Sequence, residues 1–103
     1  MMPCFIATLV AKEGQESELE KLQDELARLT DEHEPDTLVY DVLRHREKPR
    51  TYVVYSRFRD EAAFETHQAS SFHDDLVPPI LATLDVEMDL QFYDGISVVS
   101  RTP

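Results

Sequence analysis

The chain has 103 residues, 42% of them hydrophobic, with only 2 Gly and 6 Pro, which fits one packed domain and excludes a disordered or low-complexity chain. Its net charge of −11, from 21 acidic and 10 basic residues, would repel phosphate backbones and anionic lipids, so we expect no nucleic-acid and no membrane partner. The single cysteine excludes an internal disulfide framework, and the N-terminus lacks the features of a signal peptide or membrane span. We therefore expect one cytoplasmic domain over residues 1–103, with its core at about 3–98 and a tail at 99–103.

The first half of the chain predicts a strand, a helix and a β-hairpin. Residues 3–11 are apolar on both alternating faces, which is typical of an inner strand. Leucines at helical spacing then predict an amphipathic helix, opened either by a capping box of Ser17 and Glu20 or a turn earlier. These leucines are Leu19, Leu22, Leu26 and Leu29. Residues 37–46 and 51–58 alternate as the two strands of a hairpin, joined by a short Pro-containing turn.

The second half predicts two short helices and a last strand. Asp60 is a plausible N-cap for a helix over 60–68. After a break, residues 72–84 predict a second helix with Ser71 as N-cap, interrupted at Pro78. Residues 86–99 alternate as a strand, and near its start one of its two faces is polar and solvent-facing.

The order of these elements, βαββαβ, predicts an α+β fold with a ferredoxin-like antiparallel sheet. Helices can cover only one face of such a sheet, yet the first and third strands carry apolar side chains on both faces. A second copy of the same sheet is the simplest cover for the bare face, so we expect a homodimer.

Ordered short motifs in the middle of the chain resemble the antibiotic biosynthesis monooxygenase (ABM) family, and the likeness spans roughly residues 3–98. The motifs are Tyr40, Pro49, Phe58, Asp60-Glu61-x-Ala63 and His67-x-x-Ser70. The resemblance implies a dimeric α+β barrel of ferredoxin-like subunits, with a pocket between the helices and the sheet of each subunit. Many members oxygenate quinols or anthrones with molecular oxygen and neither metal nor flavin. Others cleave haem, isomerise a phosphorylated signalling sugar, or have no known activity.

The sequence also departs from the family pattern. It contains no Trp and no Asn, on which the anthrone and haem oxygenases of the family depend, and Phe58 stands where the Trp commonly falls. The usual His-x-x-Ser-x-His-Phe motif has its final pair inverted here, as Phe72 and His73. Those two mechanisms are therefore not transferred to this chain.

The resemblance makes His67 the first candidate for a catalytic residue, because its motif position commonly lines the pocket. A neutral imidazole there would take a proton from a phenol or an enol, and the alternative is a histidine that caps the end of its helix. His73 falls in the first turn of the next helix, where the dipole disfavours an imidazolium, so a surface or neutral role is favoured. The two histidines with Asp74 and Asp75 lack the spacing of a metal site, so we expect no metal. The resemblance to cofactor-independent members implies that no cofactor is needed either.

Further residues are candidates for substrate binding. Tyr40 and Tyr52 fall on one predicted sheet face, where their hydroxyls would hold a substrate oxygen or serve as ordinary core groups. Phe58 and Phe72 would form core or the wall of a pocket for a flat ligand. Arg44 shares the Tyr40 side of its strand, and it either stabilises a phenolate in the pocket or is solvated at the strand end.

The resemblance, together with these candidate residues, implies a cofactor-independent monooxygenase acting on a quinol-like or polyketide-like aromatic small molecule. The first alternative is an isomerase of a phosphorylated sugar-derived molecule, which an arginine such as Arg44 or Arg46 inside the cavity would favour. The second is a non-catalytic small-molecule-binding or stress-response dimer. A cavity too small for an aromatic ring, or one without an exposed histidine, would favour that second alternative.

Overall fold

The computed structural model describes residues 2–99, which form a four-stranded antiparallel sheet and three helices. The elements are β1 (Met2–Val10), α1 (Glu16–His33), β2 (Thr37–Arg44), β3 (Thr51–Phe58), α2 (Glu61–Ala69), α3 (Ser71–Ala82) and β4 (Asp89–Gly95). The strand order β2-β3-β1-β4 makes β1 and β3 the inner strands and confirms the ferredoxin-like prediction. The predicted tail at 99–103 lies, apart from residue 99, outside the described residues.

One face of the sheet, here called the inner face, carries the core. Ala7 of β1 lies opposite Val54 of β3, and Val42 of β2 continues the same row. Because side chains alternate along a strand, residues two positions away share this face. The inner-face residues form one cluster with helix residues, including Leu19, Leu26 and Ile80.

The N-terminal ends of α1 and α2 correct one prediction and confirm another. Helix α1 begins at Glu16 without a side-chain cap bond, so the capping box of Ser17 and Glu20 is wrong. The Glu20 carboxylate instead accepts hydrogen bonds from Tyr52 and Arg44. Asp60 does cap α2, since its Oδ1 accepts a hydrogen bond from the Ala63 N–H at 2.9 Å.

Helix α3 starts one residue earlier than predicted and is not interrupted. Ser70, and not Ser71, is its N-cap, and the helix continues through Pro78 and Pro79 to Ala82. The two prolines remove the N–H donors that would bond the carbonyls of residues 74 and 75. Those residues are exposed to solvent, so water can bind the carbonyls instead.

The last strand is shorter than predicted, because β4 covers Asp89–Gly95 and not 86–99. It pairs with β1, with Phe92 opposite Phe5 and Leu90 opposite Ala7. This pairing places Leu90 and Phe92 on the inner face. None of the helices among residues 2–99 is long and apolar enough to cross a membrane.

Candidate functional site

A cavity of about 100 Å³ lies between the inner face of the sheet and the helices, where the resemblance implied a pocket. Its wall is mostly apolar, and the polar side chains in it are Gln23, Tyr40, His67, Gln68 and His73. The wall also includes three large apolar side chains that are well exposed to solvent, which marks the mouth of the cavity. These are Leu81 (44% exposed), Leu90 (39%) and Phe92 (57%).

His67 is placed by the last turn of α2, and its side chain meets the carboxylate of Glu34 at the end of α1. The two groups are almost completely buried, with Nδ1 2.9 Å from Oε1 and 3.2 Å from Oε2. Thr37 Oγ1 donates a second hydrogen bond to Glu34 Oε1 at 2.7 Å. Because an ionised carboxylate only accepts hydrogen bonds, Nδ1 carries the hydrogen and Nε2 is the basic nitrogen. Nε2 makes no hydrogen bond to any residue in the range 2–99.

The alternative role for His67, capping its own helix, is taken by a neighbour. Ser70 Oγ donates to the His67 carbonyl oxygen at 2.9 Å, while the imidazole turns inward to Glu34. Two aromatic rings fix the imidazole from the sheet side, with centroid distances of 5.5 Å to Phe58 and 5.6 Å to Tyr40. The imidazole is therefore held in one orientation by a carboxylate and by packing.

Tyr40 and Gln23 form a second polar pair at the cavity wall. The Tyr40 hydroxyl donates to Gln23 Oε1 at 3.1 Å. Burial, followed by the nearby charge of Glu34, raises the pKa of Tyr40 well above its ordinary value, so the hydroxyl stays protonated at neutral pH. Since Oε1 is occupied, the amide NH₂ of Gln23 is the group of this pair that can donate to a ligand oxygen.

Tyr52 and Arg44 are not brought to the cavity. They lie opposite each other at the far end of the hairpin, where both contact Glu20 on α1. The Tyr52 hydroxyl lies 2.5 Å from Glu20 Oε2, and Arg44 Nη2 lies 2.7 Å from Oε1. These groups line a separate open groove of about 630 Å³ between α1 and β2.

The two predicted phenylalanines also lie away from the cavity wall. Phe58 is completely buried and supports the His67 ring. Phe72 packs against His33 of α1, with ring centroids 5.9 Å apart. Arg46 is exposed on the hairpin loop, and no lysine or arginine among residues 2–99 lines the cavity.

Glu34 and Gln23 are the site residues that the sequence analysis missed. Gln23 lies in the buried stripe of α1 together with Leu19, Leu26 and Thr30, whereas Leu22 is only partly buried. The spacing 19, 23, 26, 30 is as helical as the all-leucine spacing, and the polar residues in it are the signal that was available. For Glu34, no local pattern marks the contact with α2.

Within residues 2–99, no group of three or more His, Cys, Asp or Glu side chains is arranged to hold a metal ion. Glu34 and His67 form a buried, hydrogen-bonded carboxylate–imidazole pair, an arrangement in which the carboxylate orients the imidazole.

The family model for antibiotic biosynthesis monooxygenase matches residues 2–78. The chain belongs to the ABM family. No curated protein matches the sequence.

Solved structures show the same ABM fold. A structure described as an antibiotic biosynthesis monooxygenase is 27% identical, with a TM-score of 0.83, over 94% of this chain and 100% of that one. A candidate antibiotic biosynthesis monooxygenase from Caulobacter crescentus is 22% identical, with a TM-score of 0.89, over 93% and 91% of the two chains. A conserved protein from Methanosarcina mazei is also 22% identical, with a TM-score of 0.85, over 90% and 91%.

Proposed function

We propose that this ABM protein is a cofactor-independent monooxygenase whose substrate is a neutral, single-ring quinol. Membership of the family and the monooxygenase names of similar structures support oxygenation in general. The observation that carries the proposal is the buried pair of Glu34 and His67, in which His67 lies in the wall of a mostly apolar cavity.

The proposed reaction begins with proton transfer from a quinol hydroxyl to His67 Nε2. Glu34 stabilises the imidazolium, and the quinolate becomes electron-rich enough to reduce molecular oxygen. One oxygen atom enters the ring, the other leaves as water, and the products are a hydroxyquinone and water. The quinol supplies all the electrons, so the balance requires no further reductant. The Gln23 amide donates to the substrate oxygen, and Tyr40 holds Gln23 in place.

The size of the cavity favours one ring over several. Its volume of about 100 Å³ is smaller than the ~150 Å³ apolar cavity that binds benzene in another protein, so one ring fits only if it extends partly into the mouth. A three-ring anthrone does not fit. The exposed apolar side chains of Leu81, Leu90 and Phe92 suit an alkyl substituent on the ring.

The charge of the wall argues against the isomerase alternative. The charge of a phosphate group is typically bound by cationic side chains, and no arginine or lysine in residues 2–99 lines the cavity. Arg44, the candidate cation, is paired with Glu20 in the open groove.

Oxygen consumption tests the proposed function. The protein is mixed with an alkylhydroquinone, an anthrone and a sugar phosphate, and the rate of autoxidation is subtracted. We expect uptake with the alkylhydroquinone alone, and a loss of about 10²–10⁴-fold in His67→Gln. His33→Gln, an exposed histidine on α1, is the matched control and should keep full activity. Absence of uptake with every quinol would reject oxygenation and favour the non-catalytic binding dimer.

We also propose that two copies associate through the outer face of the sheet, in the cytoplasm. This face is the side opposite the core, and its central pair is Ile6 and Tyr55. Leu43 and Tyr93 on the same face are 50% and 51% exposed, and Val10, Val39 and Val53 are only partly buried. Polar residues such as Asp41, Thr8 and Gln91 lie among these apolar side chains. A sheet face with exposed apolar side chains at its centre and no covering helix is typical of an association surface.

Sedimentation velocity tests the association. We expect a dimer for the wild type and a folded monomer for Ile6→Lys, because a charge would be buried at the centre of the interface. Lys substitution of the exposed Ala62 on α2 should leave the dimer intact. A monomeric wild type at micromolar concentration would contradict the proposal.

A further inference from the structure

The break between α2 and α3 brings a second histidine to the cavity. Ser70 Oγ donates to the His67 carbonyl oxygen at 2.9 Å and accepts from the His73 N–H at 3.4 Å, so one side chain ties both residues at the backbone. The two imidazole rings are nearly perpendicular, with centroids 4.9 Å apart. Both rings line the cavity.

The surroundings of His73 differ from those of His67. His73 is only partly buried, and it lies in the first turn of α3, where the helix dipole disfavours a positive charge. Burial lowers the pKa of His73, and the neighbouring His67 lowers it further, whereas Asp74 and Glu34 oppose the shift. A protonated His73 is therefore a stronger acid than an ordinary imidazolium.

The proposed reaction has a step that such an acid would serve. Once oxygen has added to the ring carbon, the ring C–H proton must be removed while the O–O bond breaks and the distal oxygen leaves. His67 can serve as the base in this step only if it has already given up the proton that it took from the quinol hydroxyl. A second acid–base group in contact with the substrate would hold that proton and deliver it to the departing oxygen.

We propose that His73 is the catalytic acid of this site, an inference that rests on the proposed oxygenation. The hydroxyl proton passes from His67 to the adjacent His73, whose ring centroid lies 4.9 Å from that of His67. Neutral His67 then removes the ring C–H proton, the electron pair of the O–O bond goes to the distal oxygen, and His73 protonates that oxygen. The proton on His67 completes the water molecule, and both histidines are neutral again.

The product distribution of His73→Gln tests this role. Without the acid, the oxygen adduct should expel hydrogen peroxide, so that quinol and oxygen give quinone and H₂O₂ in place of hydroxyquinone and water. We expect oxygen uptake to persist, the hydroxyquinone yield to fall at least tenfold, and H₂O₂ to appear in proportion to the oxygen consumed. His33→Gln, with the same substitution on α1, should give the wild-type product.

Added imidazole separates a chemical from a structural role. In His73→Ala, free imidazole should enter the vacated space and restore the hydroxyquinone yield without changing that of the wild type. An unchanged yield in His73→Gln, or a loss in folded His73→Ala that imidazole does not reverse, would overturn the role of His73. A wild type that consumes no oxygen with any quinol would instead reject the proposed function, and the inference with it. If His73→Gln does not fold, as judged by circular dichroism, the His73→Ala measurement decides.

Discussion

Glu34 and His67 are 33 positions apart in the sequence, yet their side chains meet with Nδ1 2.9 Å from Oε1 in a buried environment. The end of α1 supplies the carboxylate and the last turn of α2 supplies the imidazole. A buried carboxylate is costly unless its oxygens are bonded, and here His67 and Thr37 both donate to it. The fold thus places His67 in the wall of a mostly apolar cavity, with the Glu34 carboxylate behind it.

The first prediction concerns this pair. Glu34→Gln retains an oxygen that can accept from His67 but loses the negative charge that stabilises the imidazolium. We expect quinol-dependent oxygen uptake to fall by about 10- to 100-fold, by analogy with the partners that orient metal-bound imidazoles. The matched control is Glu32→Gln, an exposed carboxylate on the same helix that pairs with Arg28. Equal rates for the two variants would show that Glu34 has no part in the reaction.

The second prediction concerns the space in the cavity. Ala7 lies on β1 in the floor of the cavity, and Ala7→Leu would fill the volume that the ring occupies. We expect binding of an alkylphenol, measured by calorimetry, to be lost, with a change in unfolding free energy of no more than about 1–3 kcal/mol. Ala62→Leu, on the exposed side of α2, should bind as the wild type does. Retained binding in Ala7→Leu would place the ligand elsewhere.

The third prediction concerns the open groove. The hydrogen bond from Tyr52 lowers the pKa of Glu20, and Arg44 lowers it further. A carboxylate whose pKa is lower in the folded than in the unfolded protein stabilises the fold at pH values above its unfolded pKa, here 4.5. This contribution is lost as the pH falls through the pKa of the folded state. In urea unfolding, Tyr52→Phe should therefore be destabilised at pH 7 and less so at pH 3. A difference that does not depend on pH would contradict this assignment.

The fourth prediction concerns His73 in the unliganded protein. Burial and His67 hold its pKa below the ordinary 6.5, so the unfolded chain binds the proton more readily than the folded one. This group therefore destabilises the fold progressively as the pH falls below 6.5. In His73→Gln, the unfolding free energy should decline less steeply between pH 7 and pH 5 than in the wild type. An NMR titration that gives His73 an ordinary or raised pKa would contradict the expected downward shift of that pKa.

Much of the fold was predictable, because the signals for it are local. Alternation gives the inner strands and the hairpin, and the leucines of α1 give the first helix. The exact helix caps were harder to predict, because Ser70 and Ser71 are chemically identical candidates. Only the structure shows which hydroxyl accepts the hydrogen bond from the His73 N–H.

The site was predictable only in part. Its contacts depend on how far along a strand each residue lies and on which helix ends pack together, and neither is visible in the local sequence pattern. Tyr40 and Tyr52 do share a sheet face, but Tyr52 lies at the end of the hairpin, beyond the helix residues that enclose the cavity. Arg44 lies opposite Tyr52 at this end of the hairpin, and it therefore contacts Glu20 and not the cavity. The partner of His67 comes from a helix end 33 residues earlier, which no periodicity in the sequence reveals.

The most direct test of the central claim, that Glu34 and His67 act as a base on a ligand hydroxyl in the cavity, uses 4-nitrophenol. This single-ring phenol does not require oxygen to report, because its anion and its neutral form absorb at different wavelengths. At a pH where most of the free ligand is neutral, the wild type should bind it with a raised fraction of phenolate, and His67→Gln should bind it as the neutral phenol. The same neutral spectrum for both proteins, at saturation, would contradict the account.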